Sequence, residues 1–193
     1  MTDPGNATRN TRKIVILGSR SVGKSSLLQQ FIDESFSGAY CPTIESTATT
    51  RKTIRYNGVE YLCEIIEGDV QNEFTHFEHT ILGVHGYVLV YSITSWSSFN
   101  MIQIIHDKIL HYLGVSEIPA IIVGSKADLH MSRQVASKDG QQLAKQYKTA
   151  WIETHALLTR NENVGNVFEL CLAEIEKRNA RPSRREETRC IIM

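Results

Sequence analysis

At 193 residues the chain has the length of one ordinary α/β domain with a tail, enough to bury a sizeable core. Its 41% hydrophobic and 22% charged residues are globular values, and Lys plus Arg and Asp plus Glu both number 21, so no global field directs it to nucleic acid. Four widely spaced cysteines (Cys41, Cys63, Cys171, Cys190) with no CxxC pair argue against a disulfide frame or zinc site and for a reducing compartment. No apolar run approaches the ~20 residues of a membrane span, and the polar N-terminus, Met1 to Thr11, carries no secretory h-region.

Lys13 to Leu17 is a short apolar, β-branched stretch that reads as a buried strand. Gly18-Ser19-Arg20-Ser21-Val22-Gly23-Lys24-Ser25 follows and fits G-x-x-x-x-G-K-[ST], the phosphate-binding P-loop. Ser25 to Ile32 then has helical spacing. Strand, glycine loop and helix form the context that the motif requires. Glycines let successive N–H groups turn toward one anion, and the helix N-terminus adds partial positive charge. Lys24 reaches the outer phosphates and the Ser25 hydroxyl is a Mg²⁺ ligand.

Asp33 to Ser46 is polar and reads as a loop. Thr47 to Tyr56 reads as a strand, Asn57-Gly58 as a two-residue hairpin turn, and Val59 to Ile66 as the returning strand. Gly68 to Gly83 is irregular or weakly helical. Its His76 and His79 have metal-like spacing, but no acidic or Cys partner at a supporting interval, and read as surface residues. Gly86 to Tyr91 is a continuous apolar run, as in a strand covered on both faces. Ser98 to Leu113 is a helix with Phe99, Ile102, Ile105, Ile109 and Leu113 on one side, and His106 and His111 on the solvated side. Ala120 to Gly124 is another buried strand. Ser137 caps a helix to about Tyr147, Ala150 to Glu153 is a last strand, and Val164 to Lys177 is a helix with Val167, Phe168, Cys171, Leu172 and Ile175 inward. The alternation predicts a largely parallel sheet with one antiparallel hairpin. From about Asn179 the composition is Arg-rich, polar and of the disordered type.

This order of elements, with its local words, resembles the Ras superfamily of small GTPases, and within it Rheb and Rheb-like proteins. The words are Ile16 to Leu27, Pro42-Thr43-Ile44-Glu45, Gly86 to Ser92, and Asp128-Leu129-His130-Met131, with Arg20 a Rheb-type feature of the loop. The likeness covers about residues 13–178 and returns at the last four. It implies an α/β P-loop fold, a six-stranded mostly parallel sheet flanked by five helices. It also implies GTP/GDP with Mg²⁺ as cofactors, GTP hydrolysis, and two loops, switch I and switch II, that sense the γ-phosphate. The layout is a polar extension over 1–11, a Ras-like GTP-binding domain over 12–178 and an Arg-rich tail over 179–193.

Site residues follow from the resemblance position by position. Arg20, Ser21, Val22, Gly23, Lys24, Ser25 and Ser26 surround the phosphates. Phe36 matches the aromatic that packs on guanine, or is a core residue at the helix exit. Ser37, Tyr40 and Cys41 match switch I over the ribose and phosphates, with Cys41 replacing an Asp. Thr43 matches the second Mg²⁺ ligand beside Ser25, or is an ordinary loop threonine.

Asn-Lys-x-Asp becomes Ser125-Lys126-Ala127-Asp128. Asp128 keeps the carboxylate that accepts from guanine N1–H and the 2-amino group. Lys126 covers the ring, whereas Ser125 lacks the amide that pins the loop and bonds N7. Ala156 offers its backbone N–H to guanine O6, between His155 and Leu157 where the family has Ser and Lys. In switch II, Asp-Thr-Ala-Gly-Gln becomes Glu67-Gly68-Asp69-Val70-Gln71. Glu67 faces Mg²⁺ through water. Asp69 brings negative charge toward the γ-phosphate, Val70 replaces a flexible glycine, and Gln71 matches the residue that orients the attacking water.

Cys190-Ile191-Ile192-Met193 fits C-a-a-X, with Met favouring farnesyl. The implied partners are guanine nucleotide, a prenyl transferase, the membrane through farnesyl, and an effector at the switches, a growth-signalling kinase complex by resemblance. The implied location is the cytoplasmic face of endomembranes or lysosomes, partly cytosolic. The expected function is a membrane-anchored switch with slow or impaired hydrolysis. A prenylated pseudo-GTPase that acts as a binding module is the alternative.

Overall fold

The computed structural model describes residues 10–33, 49–68, 74–155 and 162–180. Six strands form one sheet: β1 (Thr11–Leu17), β2 (Thr50–Tyr56), β3 (Val59–Glu67), β4 (Gly86–Ser92), β5 (Ala120–Ser125) and β6 (Ala150–Glu153), in the order β2-β3-β1-β4-β5-β6. β2 and β3 pair antiparallel, and every other neighbouring pair is parallel. Among the described residues there are five α-helices, α1 (Lys24–Asp33), α2 (Phe74–Ile81), α3 (Trp96–Leu113), α4 (Ser137–Tyr147) and α5 (Glu162–Asn179), and a 3₁₀ turn at His130–Ser132. The mostly parallel sheet with five helices is the expected one. None of the described helices is long and apolar enough to cross a membrane.

β1 shows how the sequence builds this. Ile14, Val15, Ile16 and Leu17 are all fully buried, because a parallel central strand is covered on both faces. Side chains alternate across a strand. Ile14 and Ile16 therefore join the core shared with α1 and α5, while Val15 and Leu17 join the core under α3 and α4. On the first side Phe31 of α1 stacks on Phe168 of α5 with ring centroids 4.0 Å apart. On the second, Ile102, Ile105 and Ile109 of α3 pack beneath Leu89, Tyr91 and Ile122.

Local chemistry closes the elements. Asn57 and Gly58 both have positive φ, 49° and 77°, the conformation of a type I′ hairpin turn. Ser95 Oγ accepts from Ser98 N–H at 3.2 Å to cap α3, which ends at Gly114 in the left-handed region.

Two expectations change. Ser137 is not the cap of α4. The cap is Ala136, whose N–H donates to the Asp139 carboxylate at 3.1 Å, while the Ser137 hydroxyl donates to Glu153 Oε1 at 3.0 Å. A carboxylate reaching back over the first turn satisfies the cap residue's own N–H, a different donor from the one a capping hydroxyl would take. Nor is His106 solvated. It is buried and stacks on Tyr147 with centroids 3.8 Å apart and planes 7° apart. It lies four residues after Ile102 and three before Ile109, so helical spacing carries it onto the packed face despite its polarity. His111 is exposed.

Burial lowers the pKa of His106 against an opposing pull from Asp107, and burial likewise lowers that of His85. The unfolded chain takes up these protons near the ordinary pKa of about 6.5, whereas the fold resists them. Stability is therefore expected to fall as pH drops below about 6.5, with a slope of at most about 1.4 kcal/mol per pH unit for each histidine. His106→Phe keeps an aromatic stack and should remove its share of that slope. Urea unfolding at pH values above and below 6.5 checks this, and an unchanged slope would speak against a buried neutral imidazole.

Candidate functional site

The site is assembled at the C-terminal ends of β1, β3 and β5. β1 runs into the loop Gly18 to Gly23, and Lys24 opens α1, so the motif has its strand and its helix. Both glycines are required. A Cβ on Gly18 would fall on the Val90 carbonyl oxygen, and Gly23 sits at φ +103°, where other residues are strained. Lys24 is nearly buried, and its ammonium donates to the carbonyls of Gly18 at 3.2 Å and Ser19 at 3.0 Å. This holds a cation at the loop mouth, where an anion's charge is best met. Arg20 and Ser21 lie on the exposed rim and Val22 is buried beneath it.

Ser25, the second residue of α1, donates its hydroxyl to Glu67 Oε1 at 2.7 Å. A hydroxyl and a carboxylate in contact make an oxygen-only corner, the donor chemistry of a hard divalent cation such as Mg²⁺. The residues present therefore fit that ion.

The second half of the site is the segment after β5. The Ser125 hydroxyl is buried between two carbonyls, donating toward Val22 in the loop and toward Tyr91 at 2.8 Å. It carries one proton for two acceptors. Lys126, with φ +59°, donates from its ammonium to the Ser21 carbonyl at 2.7 Å. These contacts fasten this segment to the glycine loop. Asp128 is half-buried, and its carboxylate takes no hydrogen bond from the described residues, while its carbonyl accepts from His130 at 3.0 Å. Ala127 N–H donates to Thr154 O at 3.0 Å and Thr154 N–H to Gly124 O at 2.8 Å, so the chain after β6 runs beside this segment.

Fold and site together are decided by one comparison. Matching against protein-family models assigns residues 13–177 to the Ras family. The chain belongs to the Ras family. Three relatives place it more closely. It is 50% identical over 175 residues to GTP-binding protein rhb1 of Schizosaccharomyces pombe, covering 90% of this chain and 91% of the relative. It is 41% identical over 184 residues to GTP-binding protein Rheb of Homo sapiens, covering 95% and 97%. It is 40% identical over 188 residues to GTP-binding protein Rheb homolog of Dictyostelium discoideum, covering 97% and 100%. It is a Rheb-like small GTPase, as the resemblance implied.

In this Rheb-like GTPase the structure brings together Gly18 to Ser26, Glu67, and Ser125 to Asp128. Phe36, Ser37, Tyr40, Cys41, Thr43, Asp69, Val70, Gln71, Ala156, Leu157 and Cys190 lie outside the described residues. Sequence reasoning missed a support beneath the site. Arg133 grips Glu153 through two parallel bonds of 2.6 and 2.9 Å, and Ser137 adds the third described above. The pair anchors the end of β6, one residue before Thr154. Nothing in the spacing of Arg133 and Glu153, 20 residues apart, announces it. Tyr91 lies in an apolar run that predicts strand core alone, yet its carbonyl receives Ser125 and its hydroxyl accepts from Trp151 at 3.2 Å.

Proposed function

We propose that this Rheb-like small GTPase is a membrane-anchored switch that binds GTP or GDP with Mg²⁺ and hydrolyses GTP slowly. The observation that carries the reading is the union of the two halves. A loop built for phosphates, with Lys24 at its mouth, is held through Lys126 and Ser125 to the segment that presents Asp128. One ligand spanning both needs phosphates at one end and, at the other, a base with adjacent N–H donors, which guanine has and adenine lacks.

On this reading Arg20 to Ser26 cradle the phosphates, Ser25 and Thr43 hold the cation, and the cation supplies charge neutralisation between the outer phosphates. Phe36, Ser37, Tyr40 and Cys41 cover the ribose and base edge. Lys126 lies over the ring, Asp128 reads the Watson–Crick edge, and Ala156 offers an N–H to O6. Gln71 orients the attacking water, and Val70 borders the γ-phosphate. The GTP-binding domain spans 12–178 between a polar extension and an Arg-rich tail. Farnesyl on Cys190, added by a prenyl transferase, reaches the cytoplasmic face of an endomembrane with help from the tail arginines. The effector meets the two switches, and family likeness favours a growth-signalling kinase complex.

The guanine assignment is tested by chromatography of nucleotide extracted from the purified protein, followed by competition. GDP and GTP should outcompete ATP by orders of magnitude. Asp128→Ala removes two charge-assisted hydrogen bonds of about 1.5–3 kcal/mol each, and should weaken guanine binding on the order of 10²- to 10⁴-fold. Equal competition by ATP and GTP against the wild type would sink the assignment.

The anchor has its own test. Cys190→Ser removes a chain worth about 0.8 kcal/mol per buried CH₂ and should shift the protein from membrane pellet to supernatant. Unchanged pelleting would refute it.

A second reading, a pseudo-GTPase with little turnover, draws on the word Glu67-Gly68-Asp69-Val70-Gln71. Asp69 and Val70 act only against a γ-phosphate. Two like charges ~5 Å apart repel by about 3 kcal/mol at an effective dielectric of 20, and a β-branched residue is stiff where a glycine would turn. GDP should thus bind better than GTP by up to roughly a hundredfold, and hydrolysis should sit at or below ~10⁻⁴ s⁻¹. Asp69→Ala with Val70→Gly should raise GTP affinity first and turnover second. Single-turnover phosphate release and the GTP/GDP affinity ratio decide it: ordinary Ras-like turnover with a ratio near one in the wild type excludes both the slow switch and the pseudo-enzyme.

A further inference from the structure

The cation ligands named above are Ser25 and Thr43, and the sequence reading lets Glu67 act only across a water. The geometry points to a different role. We infer that the Glu67 carboxylate enters the inner coordination shell of the divalent cation, beside the Ser25 hydroxyl. The inference rests on the guanine-nucleotide reading of the site.

Ser25 Oγ and Glu67 Oε1 are 2.7 Å apart, in direct contact. Adjacent ligands in a Mg²⁺ octahedron with bonds of about 2.1 Å stand roughly 3.0 Å apart. The pair therefore fits two neighbouring corners of one octahedron after opening by a few tenths of an ångström. The serine keeps its proton, and its lone pair turns to the cation.

The backbone holds Glu67 in place. It faces Ile16 in the β1–β3 ladder, and the next N–H, that of Gly68, donates to Ile16 O at 2.9 Å. Gly68 is walled in, since a Cβ there would stand 2.6 Å from Leu17 Cδ2 and 2.8 Å from Thr80 Cγ2. The backbone is thus pinned by its pairing with β1, and the extra methylene of glutamate over aspartate is carried by the side chain that reaches Ser25. It advances the carboxylate by roughly 1.3 Å, the projected length of a C–C bond of about 1.5 Å. An acid that would work through a water is brought up to the metal itself. The exchange puts a charged oxygen where a neutral water would be, so the ion is held more tightly by the protein.

The test counts the waters on the metal. Mn²⁺ replaces Mg²⁺ in the GDP complex of the full chain, and electron paramagnetic resonance in ¹⁷O-water reports the exchangeable ligands. With no γ-phosphate in the GDP complex to draw switch I and its Thr43 to the ion, Ser25, Glu67 and one phosphate oxygen would leave three waters on a six-coordinate ion. Glu67→Asp should restore a fourth and weaken Mn²⁺ binding to the GDP complex about tenfold. Four waters in the wild type would overturn the inference without needing the variant, and would leave the nucleotide reading intact. Equal counts in wild type and variant would do the same. A protein that retains no GDP and gives no Mn²⁺–GDP signal would overturn the nucleotide reading, and the inference with it.

Discussion

The register of β1 between β3 and β4 is the constraint on which the site depends. Ile16 stands opposite Glu67 on one side and Val88 on the other, so the end of β1 is fixed against both neighbours at once. Parallel pairing lets three strands finish at one edge. The glycine loop leaves that edge from β1, the Ser25 partner arrives on β3, and the Val90 carbonyl that excludes a side chain at Gly18 belongs to β4. A slip of one residue would turn every buried side chain of β1 to the opposite core. Ile14 and Ile16 cannot trade places with Val15 and Leu17 without changing the side-chain volumes packed in both cores, so the close-packed interior sets the position of polar atoms that bury no apolar area themselves.

The polar contacts at that edge divide into two kinds. Some serve the fold, such as Glu153 with Arg133 and Ser137, or Trp151 with the Tyr91 hydroxyl, and burial of Tyr91 pushes its phenol up to about 12. Others join the two halves of the ligand site, as Ser125 and Lys126 do. The two kinds meet in Tyr91, whose ring belongs to the core under α3 and whose carbonyl belongs to the loop network. Among the described residues, one departure from the Ras-family words, Ser125, falls at such a joint. Serine in place of asparagine at 125 keeps a donor within reach of the loop, but offers one hydrogen where an amide offers two.

Much of this was legible in the chain. The strands, the turn at Asn57-Gly58 and α5 with its five inward residues follow from periods of 2 and 3.6, and the glycine loop follows from a motif whose context is local. The rest was hidden for physical reasons. His106 is a polar residue type at an apolar position, and its spacing from Ile102 and Ile109 carries it inward. The short α2 has too few residues to display a period. A hydroxyl at 137 suggests a cap for α4, yet the cap lies one residue earlier, at Ala136, with Asp139 bonding its N–H. Arg133 with Glu153, and Ser25 with Glu67, meet across 20 and 42 residues, and only tertiary structure brings such pairs within reach.

The links from Lys126 to Ser21 and from Ser125 to Val22 fasten the glycine loop to the segment after β5 before any ligand arrives. Preorganisation of that kind cuts the conformational entropy lost when a ligand docks. A nucleoside diphosphate spanning the two halves would find them already at their proper separation and orientation. Its affinity would then reside in a part of the molecule that need not move, leaving the distinction between two phosphates and three to be made by separate segments, at little cost to retention of the ligand itself.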